Sequence, residues 1–384
     1  MSERDELLAA IISEPQDDVV RLVFADWLEE HGEADRAEFI RIQIELARRA
    51  DFTTLEPHPS IGGFANRSSH ELNSRATQLL AANEDNWRSE FPHLGRLSED
   101  FERGFVESCN LNHIAGGSPV QMATDFITTT PGRSLIMLVS ATGFSDTNET
   151  IEGEIHRIEC IPMVIEYVFE NYFPCFDPAS IRQLVVRGSS YGYFRELPTQ
   201  FPEVAAKQLT HLTVNECNVR DAFPRLFAHE YVELLHLEIS ACRLNDEDVG
   251  NLFRVGRFPK LRSLGLANNL FGAPAVEAIV GSSVFSQLVS LDLSDCVTIG
   301  PDAALVLLRS RLPEYLRHVG LSDTAIPIQS RQQIEARMSR SEKQSGIVHK
   351  VVASDVSGTQ RRVNLFVVII VIVVAIVVAT MVIL

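Results

Sequence analysis

The chain has 384 residues, 45% of them hydrophobic, which is enough for two or three folded domains with sizeable cores. Its formal net charge of −17 excludes nucleic acid as an expected partner, because phosphate binding needs a basic face. The six cysteines form no CxxC pair and no short secreted framework, so they are predicted to be reduced structural thiols.

Residues 1–50 are predicted to form a small helical domain. Apolar stripes at helical spacing mark two short helices, which end at Pro15 and at Gly32. A third helix, from about Asp35 to Arg49, carries apolar residues on more than one face and is expected to pack centrally.

The segment RLVFADWLEEHGEADRAEFIRIQIELARR, Arg21 to Arg49, resembles the short repeat-companion domain that precedes leucine-rich repeats in paralogous families of planctomycete bacteria. Trp87 and the run FERGFVE, Phe101 to Glu107, resemble the segment that follows this domain. The resemblance covers residues 1–135 and the repeats behind them. It implies a helical domain in front of leucine-rich repeats, and it brings no known activity with it.

Residues 51–180 are predicted to hold a loop, helices and the N-terminal cap of a solenoid. Helices are expected around Glu71–Ala82 and Pro119–Thr130, with an apolar strand at Leu135–Val139. Residues 155–180 keep the spacing of the later repeats, but the run IEYVFENYF suits a helix equally well.

Residues 181–340 repeat one spacing six times. Each copy has mostly apolar residues at offsets 0, 3, 5, 8 and 10 from its first residue, and copies begin 25 to 28 residues apart. The first residues are Ile181, Leu209, Leu234, Leu261, Leu288 and Leu316. The pattern is typical of leucine-rich repeats. The predicted fold class is α/β: a leucine-rich repeat solenoid of strand-plus-helix units of about 27 residues, with an N-terminal small helical domain and a C-terminal single transmembrane helix.

The C-terminal segments predict a membrane anchor. Residues 341–360 are rich in small, polar and charged residues and are expected to be a linker. The 22 residues 363–384 are almost entirely apolar, and as a helix they would span about 33 Å, enough for the bilayer. Arg361 and Arg362 flank this run, so the positive-inside rule places the N-terminal bulk in the cytoplasm. The expected lipid contact is residues 363–384.

One motif suggests catalysis. The run GSSYG, Gly188 to Gly192, fits the GxSxG elbow of serine hydrolases, with Ser190 as the nucleophile. The elbow needs a helix directly after it, whereas this chain continues with Pro198 and Pro202. No catalytic residue, metal or cofactor is therefore assigned, since zinc-type spacing and glycine-rich nucleotide motifs are also absent from the sequence.

The strand pattern assigns a candidate binding surface. Side chains alternate along a strand, so offsets 3 and 5 point into the core while offsets 2, 4 and 6 face the concave side. The candidate binding residues on this face are Arg187, His211, Thr213, Asn215, His236, Glu238, Ser240, Ser263, Ser290, Asp292, Ser294 and His318. A solvated face without a partner is an equally good interpretation, because solenoid faces are exposed by construction.

The function that these features favour is a non-catalytic, membrane-tethered scaffold that recognises protein partners through its repeat surface. One alternative is a substrate-selecting adaptor of a protein-degradation or signalling machine, by analogy of layout. In that case the helical domain, near Trp27, would dock the machine. The other alternative is a serine hydrolase that uses Ser190.

Overall fold

A parallel β-sheet of nine strands is the centre of the structure. The computed structural model describes residues 2–50, 67–88, 101–111, 119–137, 154–160, 180–188, 203–219, 226–313 and 315–345. Within these ranges a hairpin, β1 (Phe101–Glu102) and β2 (Phe105–Val106), precedes the sheet. The sheet strands follow chain order. They are β3 (Ser108–Asn110), β4 (Ser134–Met137), β5 (Arg157–Cys160), β6 (Gln183–Arg187), β7 (His211–Asn215), β8 (His236–Ser240), β9 (Ser263–Gly265), β10 (Ser290–Asp292) and β11 (His318–Gly320).

One register runs through the whole sheet. The residue at offset 2 of each repeat lies beside the residue at offset 2 of the next. The same alignment continues upstream of Ile181 through β5, β4 and β3. Apolar residues at offsets 3 and 5, such as Leu212 and Val214, therefore stack side by side and are buried in one core.

Helices cover one face of the sheet and its N-terminal end. The described helices are α1 (Glu3–Ser13), α2 (Asp18–Glu30), α3 (Ala34–Ala50), α4 (Arg67–Arg88), α5 (Pro119–Thr129), α6 (Glu203–Gln208), α7 (Asp246–Val255), α8 (Ala273–Gly281), α9 (Pro301–Arg309) and α10 (Ile328–Ser345). Helices α7 to α10 pack in sequence order, each beside the next. Their buried residues, among them Leu252, Ile279 and Leu307, share the core of the strands.

The residue at offset 7 turns the chain at the end of the strand. In the described repeats, five of these residues have left-handed backbone with φ between 52° and 60°: Glu216, Ala241, Asn268, Asp295 and Asp323. The amides of the first four continue the ladder between repeats, as where Asp295 N donates to the Ser322 carbonyl at 2.8 Å. Left-handed backbone costs a residue such as alanine about 1 kcal/mol, so the repeat imposes the turn rather than the residue type.

The C-terminal end of the repeats is closed by α10. Ile334 and Met338 are buried against α9. Arg337 donates to carbonyls at the end of α9, with Nη1 3.0 Å from Leu307 O and Nη2 2.8 Å from Ser310 O. These bonds satisfy carbonyls that a helix C-terminus leaves without intrahelical partners.

The N-terminal end is closed by α1 to α3 and a buried arginine–aromatic cluster, which comprises Arg21, Arg36, Phe39, Trp87, Phe101 and Phe105. Both arginines are 1% exposed. The guanidinium carbon of Arg36 lies 4.7 Å from the Trp87 ring centre and 5.3 Å from that of Phe105. The guanidinium carbon of Arg21 lies 5.0 Å from the Phe105 ring centre. Desolvated cation–π contacts of this kind are worth about 2 kcal/mol each.

The cluster joins the helical domain to the sheet. Phe24, Leu28 and Ile40 belong to the same buried core as Phe105 and the sheet strands. These three residues of the Arg21–Arg49 segment therefore share a core with Phe105 of the FERGFVE segment.

The predicted fold class is wrong in its membrane component. Within the described ranges, none of the helices combines the length and the apolar character needed to cross a membrane. The two longest, α4 and α10, have 22 and 18 residues and carry polar and charged side chains along most of their length, because packing on one side needs only one apolar face. The fold is instead an α/β protein with a nine-stranded parallel sheet. Arg361, Arg362 and residues 363–384, on which the anchor was predicted, lie outside the described residues.

The turn of the β1–β2 hairpin is held against α3. Arg103 and Gly104 have φ values of 50° and 87°, the pattern of a two-residue type I′ turn. A Cβ added to Gly104 would lie 2.4 Å from Cγ1 of Ile40. No L side chain fits this position without moving α3.

We expect Gly104→Ala to lower the free energy of unfolding by about 2 to 4 kcal/mol, because the methyl group meets Ile40 and the backbone is left-handed. Denaturant unfolding of the full chain measures it. Gly250→Ala is the control, since its helical site has open space and should be neutral or more stable by about 1 kcal/mol. Equal stability of Gly104→Ala and the parent chain would show that the hairpin does not pack as described.

Candidate functional site: the open face of the sheet

The register aligns the side chains of the predicted binding face in rows across the sheet, and we call this surface the open face. It consists of the side chains at offsets 2, 4 and 6 of β5 to β11, opposite the core. All twelve candidate binding residues lie on it, and the face also contains Arg157 and Glu159. Six of the twelve are buried between their neighbours: His236, Ser240, Ser263, Ser290, Ser294 and His318. Their role in binding stays a prediction.

At the N-terminal end of the open face, charges are paired within the chain. The carboxylate of Glu159 accepts from Arg187 Nε at 2.5 Å and from Arg157 Nη2 at 3.4 Å. Glu159 is buried, and its two arginines supply the positive charge that a buried carboxylate needs. Arg157 and Glu159 were not among the binding residues predicted from the sequence, although the spacing from Ile155 places both on the face.

In the middle of the face, histidines of adjacent strands lie together. The ring centres of His211 and His236 are 5.8 Å apart. His236 Nε2 is 3.8 Å from Glu238 Oε2, and Ser240 Oγ donates to Glu238 Oε1 at 2.8 Å. Burial opposes ionisation of Glu238, but the contacts with His236 and Ser240 outweigh it and hold its pKa below the usual value.

At the C-terminal end, carboxylates stand without cations. Ser294 N donates to Asp292 Oδ1 at 2.9 Å. Among the residues that the structure describes, no lysine, arginine or histidine forms an ion pair with Asp292, Asp295 or Asp323. Burial and the nearby charges of Glu238 and Asp295 raise the pKa of Asp292. Burial and the charge of Asp323 raise the pKa of Asp295.

The cysteines at offset 8 are structural. Cys217, Cys242 and Cys296 are buried under the turns, and the Cys296 thiol donates to Leu266 O at 3.3 Å. Burial raises the pKa of Cys242 and of Cys296 to about 12. Thiols with so little thiolate at neutral pH are poor nucleophiles and poor metal ligands. No group of three or more metal-binding side chains occurs within the described part of the chain.

The hydrolase motif falls only partly within the structure. Ser190, the candidate nucleophile, lies outside the described residues. Gly188 is described, and a Cβ added to it would lie 1.8 Å from the Glu216 carbonyl oxygen of the next repeat. Close packing between repeats therefore accounts for this glycine without any catalytic role.

The described residues define an α/β solenoid of sequential parallel strands, with helices on one face and an open second face. No protein-family model matches the chain, and no curated protein matches it. Solved structures do match. One is the yeast Rad7–Elc1 complex, at 11% identity and a TM-score of 0.36, with 91% of this chain and 93% of that chain covered.

Two other solved structures are similar to this chain. The C-terminal domain of tropomodulin from Caenorhabditis elegans has 12% identity and a TM-score of 0.24, covering 52% of this chain and 88% of that chain. A Bacteroides fragilis protein has 13% identity and a TM-score of 0.29, covering 76% and 85%. Scores this low carry neither a partner nor a function to this chain.

Two substitutions on the open face should shift stability in opposite directions. The folded state raises the pKa of Asp292, so its ionised form is destabilised once the pH exceeds that value. Asp292→Asn should therefore be more stable at neutral pH by up to about 1 kcal/mol, because one carboxamide oxygen can still accept from Ser294. This gain should disappear as the pH falls through the pKa of Asp292.

For Glu238 the sign is reversed, because the folded state lowers its pKa. Glu238→Gln should be less stable at neutral pH by about 1 kcal/mol, and the loss should vanish as the pH falls through the folded pKa. Denaturant unfolding at neutral and acidic pH measures both variants. Loss of stability in both at neutral pH would contradict the charge distribution described here.

Proposed function

We propose that this protein is a non-catalytic scaffold that recognises a protein partner on the open face of its sheet. One observation carries the proposal: the described helices cover one face of the parallel sheet and leave the other open. Parallel sheets usually have both faces buried. Here the helices share the core of offsets 3 and 5, and no described helix of the repeats packs on offsets 2, 4 and 6.

The dimensions of the open face support a protein as the ligand. The seven strands β5 to β11, at about 4.8 Å spacing, make a surface of roughly 29 Å across the strands. That length equals about eight or nine residues of extended chain. The face is lined by small and polar side chains in rows, which favours a partner that lies along it over a small molecule enclosed in a pocket.

The test is a crosslinked pull-down with the full chain and a variant carrying Thr213→Arg and Ala267→Arg. Both residues are half-buried on the open face, so an arginine there projects into the binding surface without replacing a core side chain. A partner that co-purifies with the parent chain should be lost. The control carries Ser283→Arg and Leu305→Arg, two exposed positions on the helical side, and should keep the partner.

Identical partners for the parent chain, the open-face variant and the control would contradict this function. The open face would then be a solvated wall of the solenoid. Thermal unfolding of each variant distinguishes a lost contact from a lost fold.

A second candidate function is the adaptor, and the surface of α2 favours it. Val19 and Val23 are 63% and 49% exposed, and they lie about two turns and one turn, respectively, before Trp27 on the same helix. Trp27 is itself half-buried, stacked 3.9 Å from His31, and its Nε1 donates to Glu3 at 3.0 Å. This apolar stripe lies on the N-terminal cap, so it could hold a second protein while the open face holds the first.

For the adaptor, Val19→Glu with Val23→Glu should release one partner and leave the open-face partner bound. Quantitative pull-down of the parent chain and this variant measures it. Leu305→Glu, an exposed apolar site on α9, is the matched control and should release neither. Unchanged partners in the α2 variant would argue against the adaptor and leave the scaffold function standing.

A further inference from the structure

The two ends of the open face differ in the partners that they give to a carboxylate. Glu159 and Asp292 both occupy offset 4, on β5 and β10 respectively. Glu159 is paired with two arginines, whereas Asp292 is bonded within the described residues by the amide and the hydroxyl of Ser294 and by no cation. Within the described ranges, cations therefore pair with the carboxylate at one end of the face and not with those at the other.

Asp292 lies between two positions of the open face that have no side chain, and we call this place the recess. Both neighbours of Asp292 at offset 4 are glycines, Gly265 on β9 and Gly320 on β11. Glu238, on the next strand, leans over Gly265, because a Cβ added there would lie 3.1 Å from Glu238 Cγ. The carboxylates of Glu238 and Asp292 thus face each other across Gly265, which has no side chain to separate them.

The rim of the recess is also acidic. Asp295 and Asp323 follow β10 and β11 at offset 7, and both are exposed at the same edge of the sheet. Glu238 has His236 and Ser240 as partners, whereas no described cation pairs with Asp292, Asp295 or Asp323, so each of these three carboxylates raises the free energy of its ionised neighbours. A ligand that brings positive charge would relieve it.

We propose that the acidic end of the open face, Glu238, Asp292, Asp295 and Asp323, docks an extended, arginine- or lysine-bearing segment of a protein partner. The inference rests on the proposed function and specifies the chemistry of the partner. Asp292 is half-buried, so a long and flexible cationic side chain is suited to reach its carboxylate between Gly265 and Gly320. At the paired end, Glu159 with Arg157 and Arg187 carries one negative and two positive charges, so this end does not attract the cationic segment.

The test is fluorescence anisotropy of a fluorescein-labelled peptide of alternating glycine and arginine, titrated with the full chain. The variant carries Asp292→Asn, Asp295→Asn and Asp323→Asn. The control carries Glu247→Gln, Glu277→Gln and Asp302→Asn, which remove the same charge from exposed positions on the helices. The open-face variant should weaken Kd about tenfold or more, and the control less than about twofold.

Equal weakening in both variants would overturn the proposal, because binding would then follow net charge alone. A Kd unchanged in the open-face variant would overturn it as well. The alternating glycine–glutamate peptide should not bind, and binding of that peptide would also overturn the cationic assignment.

The outcome is separable from that of the proposed function. If Thr213→Arg with Ala267→Arg releases a protein partner but the peptide does not distinguish the two triple variants, recognition by the open face stands and the cationic inference fails. If the peptide distinguishes them while the pull-down shows no partner on the open face, the recess binds cationic segments and the scaffold function fails.

Discussion

A parallel sheet made of short repeats cannot bury its own ends, and the rest of this structure depends on how each end is closed. At the C-terminal end, α10 supplies two apolar side chains and one arginine that binds the carbonyls of α9. At the N-terminal end, Arg21 and Arg36 lie among aromatic rings, so two charges are buried where apolar packing would be expected. Removing either arginine would leave the aromatic rings with a cavity at the junction of helices and sheet.

Once the ends are closed, the register fixes the open face. Because residues at equal offsets lie side by side, each side chain at offset 4 packs beside the offset-4 residues of both neighbouring strands. The glycines at 265 and 320 and the carboxylate at 292 are consequences of that constraint as much as of any ligand. The same register that builds the core therefore decides which charges meet.

Much of the repeat architecture could be predicted from the sequence, since the six copies give the strands at their observed offsets and the side of the sheet that each residue faces. The spacing could not predict how deeply each side chain of this face is buried. Ser263 and Ser290 were expected to be part of an accessible surface, yet they are 5% and 8% exposed, because histidines on the flanking strands enclose them. The anchor expectation rested on hydropathy alone, and no described helix supports it.

In the N-terminal cap, the burial of Arg21 and Arg36 could not be predicted from the sequence. A buried arginine has no periodic signature: Arg21 and Arg36 occupy helix positions at which polar residues are normally solvated. Their burial follows only from Trp87, Phe101 and Phe105, which lie 50 or more residues further along the chain and reach them through tertiary packing. The Arg103–Gly104 pair between alternating phenylalanines was a local signal of a hairpin that could have been read. That hairpin positions both rings, so the short motif places the aromatic side of the cap, and the long-range contact with the arginines completes it.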